Sequence, residues 1–337
     1  MNILIRCDSS NIIGTGHVMR CLNLCEYYPE HKFTFLCRNF KMNISTKIKN
    51  ANHKLILLDY YIDPIINDYK TWIGKTYDEE IDEFINVIKN SNYDIILIDH
   101  YGIDYILETN AKKYCKKVII ISDIFDSKHN CDIFINYNCD DLDKVQNINM
   151  NENTIYKIDA NNIIINKKFI DGDKKEIFNN KIENITINMG GSDPQNYILK
   201  VLEIIYDYVV RNNIVVNIII GKSNNNINSI KKFIKNNNNN TNNTNNYKIY
   251  FDINYDELID LHINSDLVIG SLSITAYERL FLNVPQISIK IVENQLIQQL
   301  DEFNIVSLDN LMNKILEFPK KIINKNKINY PKLVIFN

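Results

Sequence analysis

Asn2-Ile3-Leu4-Ile5-Arg6-Cys7, followed after a short polar loop by Gly14-Thr15-Gly16-His17-Val18-Met19-Arg20, decides how this 337-residue chain is read. An apolar opening run, a glycine turn and a helical pattern form the strand–turn–helix geometry that brings backbone N–H groups to an anionic ligand. The turn also delivers His17, whose side chain has an unperturbed pKa near neutrality. Two readings of His17 stand at this point. It is a general base at the lip of the first strand, or it caps or packs on the following helix. A glycine pair alone does not separate them.

Outward from this turn the same grammar repeats. Short apolar runs at 2–7, 33–37, 55–58, 94–98, 118–122 and 132–135 read as strands covered on both faces. Helical patterns at 16–28, 79–89 and 105–114 lie between several of them, which predicts a doubly wound α/β sheet. Residues 161–180 are polar and charged and read as a linker. The alternation then restarts, with strands at 185–189, 215–220, 248–251, 267–270 and 286–289 and helices at 195–210, 227–235, 255–262 and 276–282. The expected fold is therefore α/β with two Rossmann-like domains, 1–165 and 166–337, whose parallel sheets face one another across a ligand-binding cleft. The Asn-rich run at 236–246 has nothing to bury and is expected to be a disordered insertion.

Composition narrows the function classes. A net charge of -3 with balanced acids and bases argues against a nucleic-acid surface or a polybasic membrane anchor. No apolar run approaches the roughly 20 residues needed to span a bilayer, and no secretory signal is visible. Seven scattered cysteines read as reduced thiols, and the expected location is cytoplasmic. Cys21 and Cys25 share a helical face without a matching zinc-type pair, so they read as packing. No metal site and no cofactor are expected. Asp141-Leu142-Asp143 mimics a metal-binding Asp-x-Asp but reads as a solvated turn, and His31, His53, His129 and His262 default to surface or capping roles.

Three further loops follow apolar runs. Ile98-Asp99-His100-Tyr101-Gly102 carries polar side chains just beyond a buried strand, where His100 either faces the cleft or is structural. Asn188-Met189-Gly190-Gly191-Ser192-Asp193-Pro194 pairs two glycines with a helix whose N-terminal dipole is aimed at an anion. The last runs from Asp266 through Gly270 to Glu278-Arg279, with Glu293-Asn294-Gln295 beyond Pro285.

These motifs together resemble the UDP-2,4-diacetamido-2,4,6-trideoxy-β-L-altropyranose hydrolases of pseudaminic acid biosynthesis, relatives of nucleotide-sugar glycosyltransferases with the GT-B fold. The resemblance extends from Asn2 to about Gln295 and is most specific over Arg6-x-Asp8-x-Ser10 and Gly14 to Cys21. It implies a small-molecule UDP-sugar substrate, with His17 activating a water and Tyr101 facing the reacting sugar. Asp8 would orient the glycine turn of Gly14 and Gly16 or a nearby donor. Gly190, Gly191 and Ser192 would contact the diphosphate, Glu278 would accept from the ribose hydroxyls, and Asn294 and Gln295 would lie near the nucleotide sugar.

Leu272 and Ser273 stand where the family has small or glycine residues, leaving the hydroxyls of Ser271, Ser273 and Thr275 as substitute donors. Arg20, one turn after His17, pairs with either a carboxylate or a phosphate, and Glu278 alternatively caps its helix. The reaction implied is inverting hydrolysis to UDP and free sugar. A GT-B glycosyltransferase and an inactive nucleotide-sugar-binding subunit are the alternatives.

Overall fold

The opening apolar run becomes β1 (Asn2–Cys7), buried at every residue after Asn2. A strand roofed by helices on both faces has this pattern. In this computed structural model, which describes residues 1–177, 179, 181–238, 246–291 and 304–317, β1 belongs to the first of two parallel sheets. The chain divides into a unit spanning Met1–Ile164 and a second that starts at Ile165.

In the first unit β1 is followed by α1 (Gly16–Glu26), β2 (Lys32–Arg38), α2 (Ser45–Asn50), β3 (Lys54–Leu58), α3 (Tyr77–Ile88) and β4 (Ile95–Asp99). Then come α4 (Tyr105–Ala111), β5 (Lys117–Ile121), β6 (Ile133–Asn136), α5 (Leu142–Gln146) and β7 (Ile155–Ile158). The sheet order is β3-β2-β1-β4-β5-β6-β7. Strand order reverses between β1 and β4, and such a switch point leaves a crevice at the carboxyl ends. Cys7 lies opposite Asp99, so residues 8 and 100 leave the sheet side by side. Alternation along the strands sends Ile3, Ile5, Phe35 and Leu97 into one core layer with Val18 and Leu22 of α1. Leu4, Leu36, Ile96 and Ile98 enter the other, with Phe84 of α3 and Leu107 of α4. A reciprocal Thr76–Glu79 capping box starts α3, a device worth about 1 kcal/mol.

The second unit runs α6 (Lys167–Asp171), β8 (Asn184–Asn188), α7 (Tyr197–Asn212), β9 (Val215–Ile220), α8 (Ile227–Asn238) and β10 (Tyr247–Phe251). It continues with α9 (Tyr255–Ile263), β11 (Leu267–Ser271), α10 (Ile274–Phe281), β12 (Gln286–Ile289), β13 (Ile305–Val306) and α11 (Leu311–Glu317). Its order, β10-β9-β8-β11-β12-β13, repeats the first, with the switch between β8 and β11 and Asn188 opposite Gly270.

The presumed linker at 161–180 is corrected at its start. Ile163, Ile164, Ile165 and Phe169 are all at most 1% exposed, each contributing on the order of 2 kcal/mol of burial. The Asn/Lys background hides this apolar run. The Asn-rich segment begins inside α8, which reaches Asn238; residues 239–245 lie outside the described set, as does the chain from 318 onward. His129 and His262 are buried, contrary to a surface role. His129 pairs with Glu108 at 2.7 Å. Burial drives His262 down to about 3, so it stays neutral. Asp141 is exposed and caps α5 by accepting from the Lys144 amide. Cys21 and Cys25 sit in the core, and no helix among the described residues is long and apolar enough to cross a membrane.

Candidate active site

At the first switch point the loop after β1 folds back on itself. Ser10 and Gly14 exchange backbone hydrogen bonds of 3.2 and 3.0 Å, and the Ser10 hydroxyl accepts from the amides of Ile12 and Ile13. Gly14 has φ +84°, a conformation L side chains rarely adopt. Gly16 opens α1, and a Cβ at either glycine would meet nothing within 4 Å.

The next residue, His17, is 7% exposed and places Nδ1 2.6 Å from Asp99 Oδ1 at the end of β4. Arg20 grips the same carboxylate through Nε (2.7 Å) and Nη2 (2.6 Å) and donates Nη1 to the Tyr137 hydroxyl (2.6 Å). The open choice for Arg20 therefore resolves to a carboxylate. Burial pushes Asp99 upward, but Arg20 and His17 beside it hold its carboxyl well below the usual range. An ionised carboxylate only accepts, so Nδ1 of His17 carries a proton, and in the neutral ring the lone pair is then on Nε2.

Tyr101 and Trp72 enclose the imidazole. Tyr101 meets it edge-on at 4.6 Å and Trp72 at 6.2 Å, while Tyr101 and Trp72 stack at 5.7 Å. The Tyr101 hydroxyl donates to Asp123, which also accepts from Asn138 Nδ2 at 3.0 Å. Burial and the Asp123 charge push the Tyr101 phenol up, so it remains protonated. A Cβ at Gly102 would overlap the Tyr69 carbonyl, which is why this loop can press against residues 69–73.

Asp8 does not hold the glycine turn. It is fully buried, 2.7 Å from Arg6 Nη1, 2.5 Å from the Arg38 amide and 3.1 Å from His100 Nε2. His100 accepts the Gly102 amide at Nδ1 (3.0 Å), so both its ring nitrogens are engaged in structure. The two loops thus exchange carboxylates: Asp8 of the first holds His100 of the second, and Asp99 of the second holds His17 of the first.

The second switch point is built differently. Gly190 takes φ +85° and donates its amide to Asn188 Oδ1 at 3.0 Å. A Cβ at Gly221 would overlap the Gly191 backbone, so the loops after β8 and β9 touch main chain to main chain. Ser192 is half-buried. Helix α7 begins two residues later than expected, and the Asp193 carboxylate accepts its Tyr197 and Ile198 amides at 2.7 and 3.0 Å. Those donors are therefore unavailable to an anion. The expectation that this helix aims its dipole at one is corrected.

After β11 a chain of hydroxyls runs from Ser271 to Ser273 (3.0 Å) to Thr275 (2.9 Å). Ser273 is the N-cap of α10 and makes no side-chain capping bond. Glu278, on the second turn of α10, is 4% exposed and has no hydrogen bond to its carboxylate among the described residues, so it is not a cap. Burial raises it to about 7 against the opposing charge of Arg279. Asn294 and Gln295 lie outside the described residues.

Sequence reasoning quoted Asp99 and Arg279 without giving them roles, and it passed over Trp72, Asp123 and Gly221. Asp99 was findable, because an acid ending a wholly apolar strand beside the switch point needs a cationic or protic partner. Among the described residues no group of three or more His, Cys, Asp or Glu side chains is placed to hold a metal ion.

No family model matches the chain. The uncharacterized protein MJ1062 of Methanocaldococcus jannaschii is 26% identical over 294 residues, 85% of this chain and 54% of that protein. The chain thus spans about half the length of this curated relative. The UDP-bound MnaA structure from S. aureus has a TM-score of 0.60 at 8% identity, covering 94% of this chain and 87% of that one. Methanocaldococcus jannaschii UDP-GlcNAc 2-epimerase, solved with UDP-GlcNAc and UDP, scores 0.57 at 13% identity over 97% and 94%. Acinetobacter baumannii MurG scores 0.53 at 11% over 95% and 91%. The fold is GT-B. At these identities the likeness speaks for architecture, and chemistry must come from the side chains.

Proposed function

We propose that the chain hydrolyses a UDP-linked 2,4-diacetamido-2,4,6-trideoxy sugar to UDP and the free sugar. The observation that carries this reading is the 2.6 Å His17–Asp99 bond, which leaves His17 Nε2 able to take a proton from water. In the proposed step the water oxygen forms a bond to the anomeric carbon while its proton passes to Nε2. The bond from that carbon to the diphosphate oxygen breaks, UDP leaves with the electron pair, and the anomeric configuration inverts. Asp99 stabilises the imidazolium that forms, and Arg20 keeps Asp99 ionised and aimed. Such a positioned base contributes about 10²–10⁴-fold in rate. Tyr101 faces the reacting sugar.

Gly190, Gly191 and Ser192 contact the diphosphate, to which the Gly191 and Ser192 amides and the Ser273 hydroxyl, backed by Thr275, donate; preorganised donors there favour charge developing on the leaving group. Glu278, buried without a hydrogen-bond partner among the described residues, accepts from the ribose hydroxyls. Asn294 and Gln295 supply amides to the nucleotide sugar. The structural likeness to enzymes solved with UDP or UDP-GlcNAc supports a UDP-sugar as the substrate class.

Transfer of the sugar to an acceptor hydroxyl could use the same base, and the likeness to MurG favours keeping that reading beside hydrolysis. Incubation with a panel of UDP-diacetamido sugars in ¹⁸O-water, followed by NMR and mass spectrometry, decides between them. Free sugar labelled at the anomeric oxygen, in equal amount to UDP, supports hydrolysis. Turnover only with added acceptor selects transfer. UDP binding with no turnover at all, unaffected by His17→Ala, leaves a binding subunit.

A further inference from the structure

Beneath the hydroxyl chain of the second unit lies a cation that the proposed reaction does not use. Arg279, on α10, is fully buried. It donates Nε to Gln286 Oε1 (2.8 Å), Nη1 to Thr275 Oγ1 (3.2 Å), and Nη2 to the Ser271 carbonyl (3.0 Å) and Ser288 Oγ (3.2 Å). All four acceptors are neutral. Among the described residues no carboxylate forms an ion pair with it, and Glu278, its chain neighbour, acts on it only through space.

The chain's other buried arginines show the ordinary arrangement: Arg6 has Asp8 and Glu80, Arg20 has Asp99, and Arg38 has Glu80 and Glu83. Burying a charge without a counter-ion is strongly unfavourable. Burial accordingly draws Arg279 down to about 9, with Glu278 opposing. The backbone is shaped to admit it nonetheless, since a Cβ at Gly270 would overlap the guanidinium.

We propose that Arg279 is the buried counter-charge of the diphosphate site, acting through the Thr275 and Ser273 hydroxyls. Thr275 Oγ1 accepts from the guanidinium and shares a 2.9 Å hydrogen bond with Ser273 Oγ; with Thr275 as its donor, the Ser273 O–H is polarised toward a ligand. Ser273 and Thr275 are half-buried while Arg279 is not exposed at all, so the hydroxyls are the route by which the charge reaches a ligand. Arg279 is thus a positioning residue. The inference rests on the reading that the second unit holds a nucleoside diphosphate.

Calorimetric titration of the full chain with uridine, UMP and UDP tests it. The wild-type protein should bind more tightly with each added phosphate. Arg279→Gln should leave uridine affinity unchanged and weaken UDP about 30-fold, the scale of a charge-assisted hydrogen bond. Arg279→Lys should recover part of that loss. Thr275→Val keeps the guanidinium and cuts the hydroxyl chain; it should weaken UDP about 10-fold without touching uridine. Should Arg279→Gln fail to fold, Thr275→Val decides alone. Equal loss for uridine and UDP, or unchanged UDP binding in either variant, overturns the inference while the parent reading stands. A wild-type protein that binds neither uridine nor UDP overturns both.

Discussion

The two sheets reverse order at the same place and put opposite chemistry there. At the β1/β4 crevice the carboxylates are all engaged: Asp99 serves Arg20 and His17, Asp8 serves Arg6 and His100, and Asp123 accepts from Tyr101 and Asn138. At the β8/β11 crevice the polar groups are glycine amides, hydroxyls and an arginine with neutral acceptors, beside a carboxylate without a hydrogen bond among the described residues. One crevice is complete in itself and suits a group that moves a proton; the other is incomplete and suits a group that binds. The same strand order permits both because the topology fixes only where loops emerge.

The sharpest way to break this contrast is His17→Ala. Turnover should fall by about 10²–10⁴-fold with UDP affinity nearly unchanged, read from kcat and calorimetric Kd. Comparable activity in the variant would remove the first crevice from the chemistry. Asp99→Asn should reduce turnover nearly as far, and chemical denaturation should show about 3 kcal/mol less stability because Arg20 loses its buried partner.

In the second crevice the effects should fall on binding. Glu278→Gln should weaken UDP about 10-fold, as loss of a charged acceptor does, with a smaller change in kcat. The pH dependence has a definite sign. Burial raises Glu278 to about 7, and ligand hydroxyls that donate to the carboxylate favour its ionised form. UDP affinity should therefore rise as pH increases through about 7, and this dependence should vanish in Glu278→Gln. For stability the sign is opposite. Without ligand, the folded state holds the Glu278 proton that the unfolded chain has already released above its ordinary carboxylate pKa, so stability falls between that range and about 7. The smallest effects belong to the turns. Gly14→Ala and Gly190→Ala should each cost about 1–2 kcal/mol from their positive φ alone, measured by thermal unfolding.

Much of this was legible from residue order. Continuous apolar runs announced the inner strands, because a strand covered on both faces cannot alternate. The edge strand β7, only partly buried, gives no such run, and neither does the two-residue β13. Loop positions followed from strand positions, which is why His17, Tyr101 and Gly190 fall at the crevices. Their partners did not follow. That Asp193 would close the start of α7, or that Asp8 would turn away from the glycines toward Arg6 and His100, depends on side-chain direction and register. Composition does not encode either.

The crossing of carboxylates between the loops after β1 and β4 has a consequence for protein engineering. Neither loop is a transplantable module: grafted alone into a related scaffold, the first would bring a histidine without its aspartate and an aspartate without its histidine. The pair must be exchanged as one piece, and random changes in either should be tolerated mainly when the other changes with it.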